Sequence, residues 1–415
     1  MRILIATRYR AIVGGAETYL RVVIPALAAR GYQVGLLHEL DASHGVETID
    51  GLGDHVEGWC TGNGGTDAAL ASAAAWGPSV VYAHGLLSSD LEAALLERWP
   101  AVLFAHGYYG TCGTGLKRHT RPDIRACGRV LAPACLVLNY TRGCGIRDPF
   151  ALARTYALQT RRNVLLQEYR AVLVGSEHMR SEYARHNVAA DRLHLVPMPV
   201  TEERDDVAVP DEHPPTGRIL FVGRLTELKG AHYLLEAVAL ARRRLEEPLS
   251  VTIAGDGPYR SELEARANGL GVAARFVGWA GAAQRGELMR EADLLAVPSL
   301  WPEPFALVGV EAAEVGVPSV GFDIGGIPEW LIPGRSGELA PADPPTASGL
   351  ADAIVRAMDD PVHYAHLRRG ALAETRRFTA RAHIGALESI FDRVAGNVRE
   401  ETASFPPSSR AAPTL

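Results

Sequence analysis

One short run, RILIAT near the amino terminus, returns almost unchanged as RILFVG at residues 218–223. After each copy the chain alternates apolar runs with helical patterns. YQVGLLH, SVVYAH, AVLFAHG and AVLVGS follow the first copy, and LSVTIAGDG, ARFVGWA, ADLLAVPS and PSVGFD follow the second. Residues Ala16 to Arg30 read as a helix stopped by Gly31. Such alternation builds βαβ units and a parallel sheet, because parallel neighbours are joined only by a crossover. Made twice, it predicts an α/β chain of two doubly wound, Rossmann-like domains facing each other across a cleft. The length of 415 residues suits two domains, each able to bury a core. The expected division is 1–200, a linker at 201–216, 217–380, a closing helix within 381–400 (about Ala380 to Val394) and a disordered tail at 401–415. The linker follows from the proline- and acid-rich stretch HLVPMPVTEERDDVAVPDEHPPTG, and the tail from ETASFPPSSRAAPTL, which has little to bury.

Composition narrows the function classes. Apolar residues are 47%, charged residues 22%, and the formal net charge is -6, so the chain lacks the electrostatic footprint of a nucleic-acid binder. No run approaches the ~18 apolar residues of a membrane span. MRILIATRYR reads as a first strand rather than a signal peptide. A cytoplasmic setting is expected, where thiols stay reduced, and the sequon Asn139-Tyr140-Thr141 is then fortuitous.

In open parallel sheets, ligands gather beyond the carboxyl ends of the strands. Gly14 and Gly15 follow the first strand and precede a helix, where backbone N–H groups can approach an anion. Arg224 and Lys229, in RLTELKG, offer a planar fork of donors and a point charge, a fit to a diphosphate. His84 and His106 each end a strand in an AHG triplet, where a histidine can donate to a sugar hydroxyl or serve as a structural residue. In SLWPEPFALVGVEAAEVGVPSV, Pro304 suits a first helical position, with helix expected from Phe305 to Val315 and Gly316 as its stop. The free N–H groups of Phe305, Ala306 and Leu307 would then face the cleft beside Glu303. Glu311 lies two turns on, roughly 80° off that face, and would need a partner if buried.

Glu303 and Glu311, with seven residues between them, match the E-x7-E motif of the retaining GT-B glycosyltransferases, and the chain resembles the family of glycosyl transferases group 1 (glycosyltransferase family 4). FVGRLTELKG, GGAET and GGIPEWLIPGRSGEL resemble further stretches of that family. The resemblance implies that residues 1–200 bind the acceptor and 217–380 the nucleotide sugar. It implies that Arg224 and Lys229 hold the diphosphate, Glu303 and His106 face the donor sugar, Glu311 holds the ribose, Gly15 admits the phosphates, and Val277 and Gly278 lie against the nucleobase. Ala306 stands where a glycine is common. The implied reaction moves a hexose from a nucleotide sugar to a hydroxyl without a catalytic metal or cofactor. A UDP-sugar such as UDP-glucose or UDP-N-acetylglucosamine is the expected donor, and GDP-mannose the alternative. The acceptor is a polysaccharide, a lipid-linked intermediate or a natural product. The two glutamates also leave open a retaining glycosidase, and the fold a non-catalytic nucleotide-sugar-binding module.

Two features stand outside this pattern. Cys112, Cys127, Cys135 and Cys144 fall within an expected insert at about 108–148, with gaps unlike the paired spacing of standard zinc sites. A structural metal site such as zinc, disulfides and buried free thiols remain open. From Lys117 to Arg170 there are eleven cations against three acids. Such a run reads either as a solvated face or as a site for an acidic or phosphorylated acceptor or the inner face of the membrane.

Overall fold

The computed structural model describes residues 1–42, 47–49, 56–200 and 214–396. The first half carries β1 (Arg2–Tyr9), β2 (Gln33–Leu40), β3 (Glu57–Cys60), β4 (Val80–His84), β5 (Ala101–Phe104), a small antiparallel ribbon β6 (Arg118–His119) and β7 (Arg125–Ala126), then β8 (Ala171–Val174) and β9 (Leu193–Leu195). The second half carries β10 (Arg218–Val222), β11 (Ser250–Ala254), β12 (Ala273–Gly278), β13 (Leu294–Val297), β14 (Ser319–Phe322) and β15 (Gly337–Ala340). The strands form two parallel sheets, in the orders β3-β2-β1-β4-β5-β8-β9 and β12-β11-β10-β13-β14-β15. The chain is thus the two-domain α/β fold that the repeat predicts.

The two halves are built alike. β1 lies between β2 and β4, and β10 between β11 and β13, so each RIL strand sits where the strand order reverses. That reversal opens a crevice at the strands' carboxyl ends. Ile3, Leu4, Ile5 and Ala6 are all buried because helices cover both faces of the sheet, which is why the run is continuously apolar. The helix Gly15–Ala29 buries Tyr19, Leu20, Val23, Ile24 and Leu27, a stripe at helical spacing. Among the described residues, no helix is long and apolar enough to cross a membrane.

One expectation changes. The proline-rich stretch from His194 does not leave the fold at once. Leu193–Leu195 pairs with β8 as an edge strand, and Val196, Met198 and Val200 are buried. Tertiary packing, not visible in the local pattern, overrides the prolines there. Residues 201–213 of the expected linker and the tail 401–415 lie outside the described residues. The closing helix Ala380–Val394 returns to the first domain, where the Phe391 ring packs 5.1 Å from Tyr82 and His383 Nε2 lies 2.7 Å from the Tyr19 hydroxyl.

The turn after β10 depends on one glycine. Gly230 follows the single 3-10 turn Glu227–Lys229 at φ +68°, and a Cβ there would stand 1.8 Å from the Pro298 carbonyl oxygen. Gly230→Ala combines left-handed strain with a backbone overlap, and should lose about 2–5 kcal/mol of stability. Chemical denaturation checks this, and wild-type stability would contradict the packing described.

Candidate functional site

The residues singled out in the sequence gather where the two sheets' carboxyl ends face each other. Glu303 is 4% exposed, and its Oε1 accepts three hydrogen bonds: from Lys229 Nζ at 2.7 Å, Ser299 Oγ at 2.5 Å and Trp301 Nε1 at 2.8 Å. A buried carboxylate needs such partners, since desolvation otherwise costs several kcal/mol. Oε2 accepts from no donor among the described residues. Lys229 reaches Glu303 because its turn is fixed from below, with Leu300 N–H donating to Leu228 O at 2.8 Å. Its ammonium also stands 5.8 Å from the Trp301 ring centre.

The Pro302-Glu303-Pro304 segment is held from both sides. Gly326 N–H donates to Glu303 O at 2.6 Å, and a Cβ on Gly325 (φ +63°) would stand 2.4 Å from the Glu303 backbone nitrogen and oxygen. Only glycine permits this approach. From the first domain, Tyr108 donates to Pro302 O at 2.7 Å and Ser176 to Pro304 O at 2.6 Å. Both domains therefore set the position of Glu303. Ser176, Tyr108, Ser299 and Trp301 escaped the sequence reading. Ser299 and Trp301 lie within SLWPEP itself, with a hydroxyl and an indole N–H in view, but nothing local tied Tyr108 or Ser176 to it.

The helix after Glu303 is shorter than expected. It runs Val308–Ala313, not Phe305–Val315, and Pro304 is not its first residue. The cause is Ala306, which adopts φ +64°, a left-handed conformation that no regular helix accommodates. Phe305 is locked beside it, buried with its carbonyl accepting from Trp330 Nε1 at 2.6 Å. Six residues leave little aligned dipole, so positive charge at the site comes from side chains. Glu311 has the partner that burial demands: Arg285 Nε lies 3.1 Å from Oε2 and Nη2 donates to Oε1 at 3.2 Å. Burial raises the Glu311 carboxyl, and Arg285 and Arg21 oppose that shift.

Arg224 is exposed and makes no hydrogen bond or ion pair among the described residues. Its loop lies on a second glycine loop, with Leu225 N–H donating to Asp256 O at 2.9 Å, and a Cβ on Gly255 would meet Gly223 O at 1.9 Å. The Glu17 carboxyl is raised by burial and drawn back first by backbone N–H groups at Glu17 and Gly14, then by Arg8 and, least, by Arg224. Glu17 sits within GGAET yet was not singled out. Gly14 caps the helix in extended geometry, and a Cβ on Gly15 would meet nothing within 4 Å, so its backbone is open to a ligand. Val277 and Gly278 end β12, with Gly278 at φ +73° and its carbonyl accepting from Gly255 at 2.7 Å.

His106 and His84 belong together: His84 Nδ1 and His106 Nε2 are 2.9 Å apart. Burial pushes His106 down to about 3 and His383 to about 4, and lowers His84, so all three are neutral near pH 7. His106 can thus act as a neutral hydrogen-bonding group and not as a cation. It lines a cavity of about 190 Å3 with Gly85, Tyr108, Tyr109 and Gln159. A larger cavity, about 440 Å3, lies at the opposite, amino ends of β10–β12, away from every residue of the cleft.

The cysteines and the basic run also have definite places. Cys112, Cys127, Cys135 and Cys144 are free, half-buried thiols lining one cavity. Lys117, Arg118 and Arg162 are buried rather than solvated, and Arg125 pairs with Asp343 at 3.0 Å. The run is therefore not one continuous solvated face.

Residues 203–373 match the model of the glycosyl transferases group 1, and residues 13–204 match that of glycosyltransferase family 4. A glycogen synthase of Mycobacterium tuberculosis is 39% identical over 173 residues, 40% of each chain. A D-inositol 3-phosphate glycosyltransferase of Catenulispora acidiphila is 31% identical over 238 residues, 55% of this chain and 54% of the relative. The matched stretches thus span about half or less of these relatives' length. Among solved structures, Anabaena HepE in complex with UDP and glucose aligns with TM-score 0.66 at 19% identity, covering 94% of this chain and 99% of that one. Sucrose-phosphate synthase of Thermosynechococcus elongatus aligns with TM-score 0.71 at 19% identity, covering 96% and 100%.

The buried histidines set a pH dependence. Their folded pKa values are depressed, so the unfolded chain takes up protons first, and the stability they contribute is full above about pH 6.5 and lost as pH falls. For His383, held neutral by burial against the opposing pull of the Pro197 carbonyl, the loss between about pH 6.5 and about pH 5 is roughly 2 kcal/mol. Denaturation across that range should show a slope that flattens by this amount in His383→Gln. An unchanged slope would contradict it.

Proposed function

Because the chain belongs to the glycosyl transferases group 1 of glycosyltransferase family 4, we propose that it moves a sugar from a nucleoside-diphosphate sugar to an acceptor hydroxyl, with retention at the anomeric carbon. The observation that carries this reading is the convergence of Lys229, Ser299 and Trp301 on a single oxygen of Glu303. The carboxylate is held rigid while its second oxygen stays open for the hydroxyls of a donor sugar.

The reaction charges the leaving group. The bond from the anomeric carbon to the diphosphate oxygen breaks, and the diphosphate takes the electron pair. Lys229, already placed beside the sugar site by its bond to Glu303, meets that developing charge, and Arg224 closes on it from the opposite side of its loop. Preorganised cations act most strongly where water is excluded and reorganisation is small. They neutralise the charge that a divalent metal would otherwise meet, so the chemistry proposed needs no catalytic metal. The acceptor oxygen bonds to the same face of the anomeric carbon, and its proton passes to the departing diphosphate.

The remaining residues have supporting roles. Gly14 and Gly15 let the first domain's backbone approach the donor, Glu311 binds the ribose beside Arg285, and Val277 and Gly278 border the base. The backbone N–H groups of Phe305, Ala306 and Leu307 lie on the donor side of Glu303. His106, kept neutral by burial, donates to the sugar, with His84 fixing its ring. The cavity beside His106 receives the acceptor hydroxyl. UDP is the proposed donor nucleotide, in keeping with the UDP and glucose bound by Anabaena HepE, with glucose or N-acetylglucosamine as the sugar.

Release of UDP from a panel of UDP- and GDP-sugars, with and without chelator, tests this reading. Lys229→Ala and Glu303→Ala should each lower turnover about a thousandfold or more in a chain that still folds, with a lowered melting temperature in Lys229→Ala because the buried carboxylate loses its cation. Near-wild-type rates in both variants would remove the site assignment.

A further inference from the structure

Four thiols converge where no part of the sugar-transfer site reaches. Cys112 lies in the loop beyond His106, Cys127 follows β7, Cys135 lies in the first turn of the helix Ala134–Arg142, and Cys144 lies just past its end. They line one cavity of about 220 Å3. No carboxylate lines the cavity; Arg118, His119, Arg129 and Arg142 do.

Two buried nitrogens there lack partners, although Arg118 Nη2 lies 3.7 Å from Glu227. Arg118 is 6% exposed, yet its Nη1 is buried with no acceptor, and so is His119 Nδ1. A buried guanidinium donor left unsatisfied is costly, so this lining calls for an anionic guest. The thiols select soft metals, and a metal held by four thiolates supplies the negative charge. One sulfur is already hydrogen-bonded in the manner that tunes such centres, with Lys117 N–H donating to Cys112 Sγ at 3.4 Å.

Size decides which metal centre fits. Four thiolates on one zinc ion, each at about 2.3 Å in a tetrahedron, stand about 3.8 Å apart. Among the described residues, the only His, Cys, Asp or Glu trio with ligand atoms all within 4.8 Å of one another is His38, Asp41 and Cys60. The four thiols of the insert are spread more widely, around a cavity far larger than one ion fills. We propose that Cys112, Cys127, Cys135 and Cys144 bind an iron–sulfur cluster of the four-iron, four-sulfide type, whose larger core spans such a gap.

The site also has a structural consequence. The insert is anchored to its own domain by Lys117, buried against the fully buried Glu182. It reaches the other domain through Arg118, 3.7 Å from Glu227, which opens the turn bearing Lys229, and through Arg125, 3.0 Å from Asp343. A bound cluster would brace a contact that spans the cleft.

The test uses the full chain, purified without oxygen, incubated with iron and sulfide and desalted. The expected result is about four iron atoms and about four acid-labile sulfides per chain, with broad visible absorbance. Cys135→Ala and Cys144→Ala should each retain less than half of that iron, and Cys60→Ala all of it. About one tightly held zinc per chain with no sulfide uptake, disulfides among the four cysteines, or equal iron in the wild type and both variants would each overturn the proposal. The wild-type iron and sulfide counts decide the matter even if a variant fails to fold.

Discussion

A buried carboxylate at the meeting of two domains governs much of this structure. Glu303 is nearly inaccessible, so its charge must be matched by donors, and the loop SLWPEP supplies two of them from within five residues. The third, Lys229, comes from another loop and arrives only because Gly230 lets the turn close against Pro298. The carbonyls that flank Glu303 are taken by Tyr108 and Ser176 of the first domain. Moving this segment would disturb both domains, so the cleft is fixed at its centre while its outer loops stay open.

The same segment is strained, and the surroundings hold the strain. Ala306 sits at φ +64° where a methyl group costs about 1–2 kcal/mol. Phe305, buried and bonded through its carbonyl to Trp330, and Gly309, whose missing Cβ leaves room for the Trp330 ring, keep the chain in that path. Strain of this kind concentrates at ligand-handling sites because only a well-determined environment can maintain it. It also replaces a long helix end by a tight turn, so in the proposed reaction anion stabilisation falls to Arg224 and Lys229.

The sequence carried the architecture further than the site's detail. The RIL repeat and its alternation announced both sheets, because strands covered on two faces must be apolar along their whole length. Arg224, Lys229 and Glu303 were singled out from loops at strand ends, and Glu311 from the helix expected after Glu303. The partners were not: Arg285 for Glu311, and Tyr108 and Ser176 for the proline carbonyls, are far away in sequence and common in type. The short helix was missed because Pro304 and Gly316 bracket a plausible longer one, and nothing in FALVG marks Ala306 as left-handed. Residues 193–200 look like the start of a linker because prolines dominate locally, yet Val196, Met198 and Val200 are buried. The four cysteines were legible as one group in the insert, but their irregular spacing hid how the ribbon β6–β7 and one helix fold the gaps away and set them around one cavity.

The central claim is that Lys229, positioned by Glu303, forms half of a diphosphate site. Its most direct measurement is the UDP-induced rise in thermal stability of the wild type and of Lys229→Ala. At UDP about a hundredfold above its dissociation constant, the wild type should gain about 2.7 kcal/mol, and the variant should lose most of that gain at the same concentration. Equal stabilisation of both proteins, or none of the wild type by UDP or GDP, would contradict the account.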